Sequence, residues 1–455
     1  MKNDLIDALR ERSLRPAVAS HGGRSKRTTS KLSLRFREPP KIPLYAADLG
    51  VIGALVLALL FVINPTGLAF ERITATKHIP LLFSIMALLM AVASAALEPG
   101  QTALRRGAGM GRLSRPFLLL ASWVIVGSLY ARYVDHVEDT FLTIGLYMLA
   151  VPGMTLYIVC SKARWRIVAL YMKALSLSAG FMLLVMIAEH VGSGGRYHEL
   201  EYLVVPIGVY HALRPGNSRW QVALAAFYIL GWLVFLKLTG FMALGVALAY
   251  LWMVEWRFRY KEHEPFRRWA RRCMVGGVLA GAVLAIFVMQ HRGHVGPDGN
   301  LGYRMVTYRN AVNRFLSSPL YGASFDMSAT ARFTGFQIDA AHGHLPTHSD
   351  VLDLAANGGV LALGLLIWGY ARILNYARKT IFSVRTNSEL VAIAHTLACS
   401  MLTGVVVYAF NPILLEPDRA LLLWSTTGML LGMAICHKQI TNLSTRKTRD
   451  EKRKI

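Results

Sequence analysis

Long apolar runs recur along almost the whole chain and are separated by short polar stretches. A helix needs about 20 apolar residues to cross the hydrocarbon of a bilayer. The runs are continuous and do not alternate with a period of two, which favours helices over strands. The pattern predicts an all-α bundle of about 12 transmembrane helices, at residues 44–63, 78–97, 114–130, 140–160, 166–189, 200–213, 219–237, 239–254, 273–290, 352–371, 389–410 and 418–436.

Polar segments divide the chain into five parts. Residues 1–43 form a basic tail that is predicted to be largely disordered, because it is rich in Ser, Gly and charged residues. The first nine helices fall within 44–290, the last three within 351–436, and a second basic tail covers 437–455. The connection at 291–350 is unusually long, and long loops without a function are uncommon. It is therefore the expected functional segment.

Composition agrees with the membrane assignment. The chain is 54% hydrophobic and only 17% charged, which excludes an ordinary soluble domain. Its net charge is +24, and the cations collect in alternate loops and in both tails. The positive-inside rule places those loops and both termini in the cytoplasm and the 291–350 loop on the opposite side. Basic tails beside a membrane usually bind anionic lipid, which we expect here in place of nucleic acid.

Histidines collect at the end of the long loop. The sequence AHGHLPTHSD contains His342, His344 and His348, followed by Asp350. Imidazole and carboxylate are usual zinc ligands, but Pro346 interrupts the helical spacing that a single-helix zinc motif needs. The four cysteines show no CxxC pairing either. A general base is the simpler interpretation, because histidine ordinarily takes up a proton near neutral pH. A metal site remains the alternative.

An amphipathic helix is predicted earlier in the same loop. The segment YRMVTYRNAVNRFLSSP has apolar side chains at helical spacing and ends at Pro319. Arg304, Arg309 and Arg314 project from this helix. For Arg309 and Arg314, a solvated helix lying on the membrane surface is a sufficient explanation. The apolar positions are Met305, Tyr308, Val312, Phe315 and Leu316.

Two motifs in this loop resemble those of the bacterial O-antigen ligase and polysaccharide polymerase superfamily. The first is the histidine signature with spaced leucines and a glycine, here His348, Ser349, Leu352, Leu354 and Gly359. The second is a Gly-Arg, aromatic, Ala, Phe and Pro-Leu-x-Gly series, carried here by Gly302, Arg304, Tyr308, Ala311, Phe315 and the PLYG segment at 319–322. The layout of about 12 spans is also similar.

The resemblance implies a polytopic, inner-membrane glycosyltransferase fold with one large periplasmic loop. It implies en bloc transfer of a glycan from a polyprenyl (undecaprenyl) diphosphate carrier, by an inverting reaction that needs no metal or other cofactor. The acceptor would be a glycan or lipid A core, and a chain-length regulator is a further candidate partner. Arg304 would bind the donor diphosphate, and His348 would activate the acceptor hydroxyl.

Further binding residues follow from the same resemblance. Arg196 in SGGRYHELEY matches an outward arginine after the fifth span, and Glu189 lies close to it in the sequence. Tyr308, Arg309 and Asp350 accompany the two motifs, and all of these are candidate substrate-binding residues. A guanidinium binds phosphate oxygens through paired, charge-assisted hydrogen bonds, so arginines could stabilise the leaving group. Attraction of Arg304 and Arg196 to lipid phosphates at the interface is the alternative explanation.

The chain departs from the family pattern at several positions. Ser349 stands where the family usually has Asn, Asn357 where Glu is common, and Ser324 and Ala362 where glycines are frequent. Relatives usually carry Ser-Arg-Gly in the turn between spans seven and eight, whereas this chain reads KLTGFM. Lys237 is therefore the candidate substitute for a missing arginine.

Two classes of function are compatible with the pattern. In the first, a polymerase or a ligase assembles O-antigen or exopolysaccharide. The modest outward loop and the irregular signature slightly favour a polymerase. In the second, the chain is a transporter of a polysaccharide precursor or small solute, for which about 12 spans are ordinary. No internal repeat and no acidic pair within a span is evident, and both are common in transporters.

Overall fold

The computed structural model describes a large part of the chain, and its secondary structure there is helical. The only β pairing among these residues is an isolated bridge between Thr140 and Asp326. The described residues are 53, 101–137, 140–161, 163–193, 200–215, 218–235, 238–259, 300–323, 325–326, 347–383, 388–414 and 417–453.

Eleven α-helices run through the residues described from position 101 onward. Two short 3₁₀ segments, Trp232–Phe235 and Ile381–Ser383, follow the sixth and ninth of them. The helices are α1 (Gln101–Tyr133), α2 (Leu142–Met148), α3 (Ala150–Cys160), α4 (Arg164–Ser193), α5 (Glu201–Leu213), α6 (Arg219–Gly231), α7 (Leu238–Arg259), α8 (Asn300–Ser317), α9 (Asp350–Lys379), α10 (Glu389–Phe410) and α11 (Pro417–Arg453).

Six helical segments of the described chain are long and apolar enough to span a membrane, and they coincide with six predicted spans. The sixth, seventh and eighth predicted spans fall on the shorter helices α5, α6 and α7. The first, second and ninth lie outside the described residues, except for the helical Gly53. The chain is a multi-pass helical membrane protein, and the count of 12 stays a prediction. The six segments are Arg112–Tyr133, Leu142–Cys160, Arg164–Ala188, Asp350–Ser383, Glu389–Phe410 and Arg419–Gln439.

Small residues let the central helix α11 approach its neighbour α3. A Cβ atom added to Gly428 would lie 2.5 Å from the carbonyl oxygen of Val151. The Thr155 hydroxyl also donates a hydrogen bond to the Gly428 carbonyl, at 3.0 Å. Small side chains and such interhelical hydrogen bonds are the usual means of helix packing in a membrane, where apolar burial alone gives little preference for protein over lipid.

Helix α9 contains a kink at Gly359, which has φ 66° and ψ −167°. The segment after α8 fills the gap that this kink opens in the helical hydrogen bonds. The carbonyls of Pro319 and Leu320 accept from the backbone N–H groups of Val360 and Leu361, at 2.8 and 3.3 Å. The kink is thus completed by a segment about 40 residues earlier in the chain.

Glycine is required on both sides of this junction. Gly322 has φ 75°, and a Cβ atom there would lie 2.2 Å from the Asn357 carbonyl oxygen. A Cβ atom on Gly359 would lie 2.4 Å from the Leu320 carbonyl oxygen. Both residues combine a left-handed backbone with a backbone-to-backbone approach that no side chain would allow. The PLYG segment therefore acts as a structural partner of α9.

Candidate functional site

His348 lies in a tight turn immediately before α9. Its φ of 58° is uncommon for any residue other than glycine. The buried Thr347 hydroxyl holds the turn by accepting from the backbone N–H of Ser349, at 3.1 Å, and donating to the carbonyl of the same residue, at 3.0 Å. His348 itself is only half-buried. A left-handed histidine held between buried neighbours is the kind of backbone outlier that often marks a functional site.

Ser349 caps α9, since its hydroxyl accepts a hydrogen bond from the backbone N–H of Leu352, at 3.3 Å. Serine and asparagine are about equally good at this position of a helix. The replacement of the family's usual Asn by Ser349 therefore keeps the cap.

Asp350 connects the start of α9 to the segment after α10. Its carboxylate is buried and accepts from the backbone N–H of Leu414, at 2.7 Å. As an acid in the first helical turn, it also interacts favourably with the helix dipole. The predicted substrate-binding residue Asp350 thus has a contact that positions the turn around His348.

Arg304 is brought to the same region by α8. Its guanidinium donates to the carbonyl of Phe410, the last residue of α10, at 3.0 Å. One turn later, the buried Thr307 hydroxyl donates to the carbonyl of Arg304, at 3.1 Å, and lies 3.5 Å from the carbonyl oxygen of Thr347. Since Thr347 precedes His348, the two predicted catalytic residues lie on segments that touch each other.

Tyr308 is the third side chain of this cluster. Burial raises the pKa of its hydroxyl above the ordinary value, the adjacent Arg304 guanidinium opposes that rise, and the Asp353 carboxylate adds to it. A raised pKa means that the hydroxyl keeps its proton throughout the physiological pH range. Tyr308 is therefore a neutral group beside Arg304.

Two buried polar residues of α9 were not predicted from the sequence. Asp353 is 2% exposed and Asn357 is completely buried. The Asn357 amide donates to the backbone carbonyl of Asp353, at 2.8 Å. With Asp350, they recur at intervals of three and four residues along one face of an otherwise apolar helix. That spacing is the signal in the sequence that could have identified them.

Other predicted site residues stand apart from this cluster or are not described. Arg309 is exposed on the side of α8 away from α9. Arg314 donates to the carbonyl of Ala323. Glu189 falls in the last turns of α4, and its side chain is not described. Arg196 and Lys237 lie outside the described residues, as do His342 and His344.

The metal alternative gains no further ligands in the described part of the chain. No group of three His, Cys, Asp or Glu residues there could hold a metal ion. His348 and Asp350 are the two members of the proposed ligand set that the structure describes.

Comparison with known proteins gives no family for this chain. No protein-family model matches it, and no curated protein is significantly similar to it.

Proposed function

We propose that this chain is a membrane glycosyltransferase that transfers a glycan en bloc from a polyprenyl diphosphate carrier to a sugar hydroxyl. The contact between α8 and the turn at His348 carries the proposal. It brings a half-buried arginine and a histidine from two motifs, 44 positions apart in the sequence, into one polar cluster. The motif resemblance to O-antigen ligases and polymerases suggests the reaction.

In this reaction, His348 accepts the proton of the acceptor hydroxyl as its oxygen attacks the anomeric carbon of the donor sugar. The bond from that carbon to the diphosphate oxygen breaks on the opposite face, so the configuration inverts. The electron pair leaves with the diphosphate. Arg304 stabilises the resulting charge by charge-assisted hydrogen bonds, with Tyr308 as a neutral neighbour. The reaction requires no metal.

The cellular setting follows from the same proposal. The protein would lie in the bacterial inner membrane, with both termini in the cytoplasm and the His348 cluster on the periplasmic side. It would act in exopolysaccharide or O-antigen assembly, with polymerase slightly favoured over ligase.

The test uses purified protein in nanodiscs, supplied with a polyprenyl diphosphate oligosaccharide with and without lipid A core. A product ladder from donor alone identifies a polymerase, and a single shifted band that needs the core lipid identifies a ligase. No product, with a donor that a known enzyme accepts, would contradict the proposal and favour a transporter.

We expect His348→Ala and Arg304→Ala each to lower the transfer rate by at least about a hundredfold, the usual contribution of a general base or a charge-stabilising group. Membrane abundance should stay unchanged. Arg378→Ala is the matched control, because Arg378 is exposed at the other end of α9. Full activity of either site variant would remove that residue from the mechanism, and loss of activity with a chelator, restored by zinc, would support the metal alternative.

A further inference from the structure

Helix α8 runs alongside the first half of α9 and in the same direction. Near the start of α9, the Thr307 hydroxyl lies 3.5 Å from the Thr347 carbonyl oxygen. Further along, the Pro319 carbonyl accepts from Val360, at 2.8 Å. Both chains thus advance 12 or 13 residues between the two contacts. Helix α8 therefore follows α9 down to its kink.

The kink lies deep within a membrane-spanning segment. Gly359 is nine residues after Asp350, the first residue of the span Asp350–Ser383. At about 1.5 Å per residue, this is a rise of about 14 Å, or nearly half of the roughly 30 Å hydrocarbon layer.

A second span gives the same depth independently. The indole N–H of Trp123 donates to the carbonyl of Gly358, at 3.3 Å. Trp123 lies in the middle of the span Arg112–Tyr133. The end of α8 and the PLYG segment are therefore near the middle of two different spans.

The irregular backbone at this depth is well supplied with partners. Non-helical backbone is tolerated inside a membrane only where protein or water satisfies its polar groups. The carbonyls of Pro319 and Leu320 accept from α9, and the Ala323 N–H donates to the carbonyl of Ala356, at 3.0 Å. The Arg314 side chain, which would be costly in lipid, donates to the carbonyl of Ala323. This part of the chain is thus compatible with burial in a bilayer.

The side chains that this segment exposes are suited to lipid. Val312, Leu316, Leu320 and Tyr321 are 43, 65, 63 and 61% exposed. They lie on the half of the segment nearer the kink, whereas the exposed cation Arg309 precedes them. Asn313, on the neighbouring face of α8, is also exposed. Next to them in the structure, α9 exposes Val360 and Leu361, which belong to a membrane-spanning segment and continue the same apolar surface.

We infer that residues 300–323 form a re-entrant segment that enters one half of the bilayer and ends near its middle. Acyl chains cover Val312, Leu316, Leu320 and Tyr321, and the side of α8 that carries Asn313 faces water. The Arg304 and His348 cluster then lies at the level of the lipid headgroups. This placement differs from the flat surface helix predicted from the sequence, and it does not depend on the proposed enzymatic activity.

Fluorescence quenching in reconstituted membranes tests the inference. Dansylalanine is introduced singly at Val312, Leu316, Leu320 and Asn313 of the full chain, which avoids replacing the native cysteines. The protein is reconstituted into phosphatidylcholine vesicles whose lipids are brominated either near the headgroup or near the chain end. Only variants that elute as monodisperse protein before reconstitution are compared.

A re-entrant segment predicts a gradient of depth. The probe at Leu320 should emit at the shortest wavelength and be quenched best by deep bromines, while the probe at Val312 should be quenched best by shallow ones. Asn313 is the matched control on the same helix and should show the most water-like emission.

Equal depth at Val312, Leu316 and Leu320 would overturn the inference in favour of a helix lying flat on the surface. Absence of quenching by either lipid would also overturn it, and blue-shifted emission without quenching would show that protein, either a second copy or another segment of this chain, covers the stripe. Since no glycan transfer is measured, failure here would leave the proposed function standing.

Discussion

At the scale of single residues, Tyr308 shows how the site controls its charges. The hydroxyl lies among groups of opposite sign, the Arg304 guanidinium and the Asp353 carboxylate, and burial raises its pKa. The neutral hydroxyl can donate a hydrogen bond without adding negative charge where a diphosphate is to bind. Its loss should therefore weaken the site without removing a titrating group.

We expect Tyr308→Phe to lower kcat/KM for glycan transfer by about tenfold, because one net hydrogen bond is worth about 1 kcal/mol. The position of the pH-rate profile should not move below about pH 10, since the raised pKa keeps Tyr308 protonated there. The measurement is the transfer rate against pH, with Tyr321→Phe as a control at an exposed tyrosine. A displaced profile in Tyr308→Phe would show instead that Tyr308 titrates in the working range.

Asp353 and Asn357 illustrate a substitution within the family pattern. Relatives commonly carry Glu at the position of Asn357, and this chain has a neutral amide there. The buried carboxylate of Asp353 lies one turn earlier on the same face of α9. The buried face of the helix therefore still carries an acidic group next to the cluster.

At the scale of elements, the junction between α9 and the PLYG segment is the least replaceable feature. A helix that breaks its own hydrogen bonds inside a membrane must find new partners, and here the partners come from residues 319–323. Loss of the junction would displace α8 and with it Arg304.

Gly322→Ala and Gly359→Ala should each destabilise the protein by at least about 2 kcal/mol, because a Cβ atom would overlap backbone atoms at a positive φ. Thermal unfolding in detergent, followed by loss of the monodisperse peak, measures the effect. Gly364→Ala is the matched control on the same helix, since no atom lies within 4 Å of its added Cβ. That control should be neutral or more stable by about 0.5 kcal/mol. Wild-type unfolding of both junction variants would show that the PLYG segment is not held against α9 in this way.

At the scale of the whole molecule, the described helices present two different ends. At one end, Arg214 pairs with Glu389 at 3.4 Å, and the Arg164 guanidinium donates to the Cys436 sulfur at 3.1 Å. Exposed cations such as Arg378 and Lys379 also lie there. At the other end, Tyr202 donates to the Arg419 carbonyl, at 2.8 Å, and the His348 cluster is found. The basic loops predicted to be cytoplasmic are thus opposite the site.

Reporter fusions test this orientation in cells. Green fluorescent protein should fluoresce at either terminus, and alkaline phosphatase there should be inactive, because the positive-inside rule keeps both tails in the cytoplasm. Alkaline phosphatase fused after Val137, at the site end of α1, should be active. Active phosphatase at the termini, with an inactive fusion after Val137, would invert the assignment.

Much of the fold was predictable because a membrane helix makes its hydrogen bonds locally and reveals itself by its apolar length. Nine of the predicted spans fall on described helices, and the amphipathic α8 was also expected. The histidine turn and Arg304 could be predicted from two motifs. Which of them meet, and through what contacts, depends on residues far apart in the sequence.

Sequence alone therefore determined that this protein is a multi-pass helical membrane protein with a polar, histidine-bearing segment beside a late span. The tertiary structure decided the face of α8 that is buried, where Thr307 and Ala311 pack inward and Val312 and Leu316 stay exposed. It also decided the kink at Gly359 and the inclusion of Asp353 in the cluster. These features depend on hydrogen bonds and close packing between segments about 40 residues apart, and local periodicity carries no information about such partners.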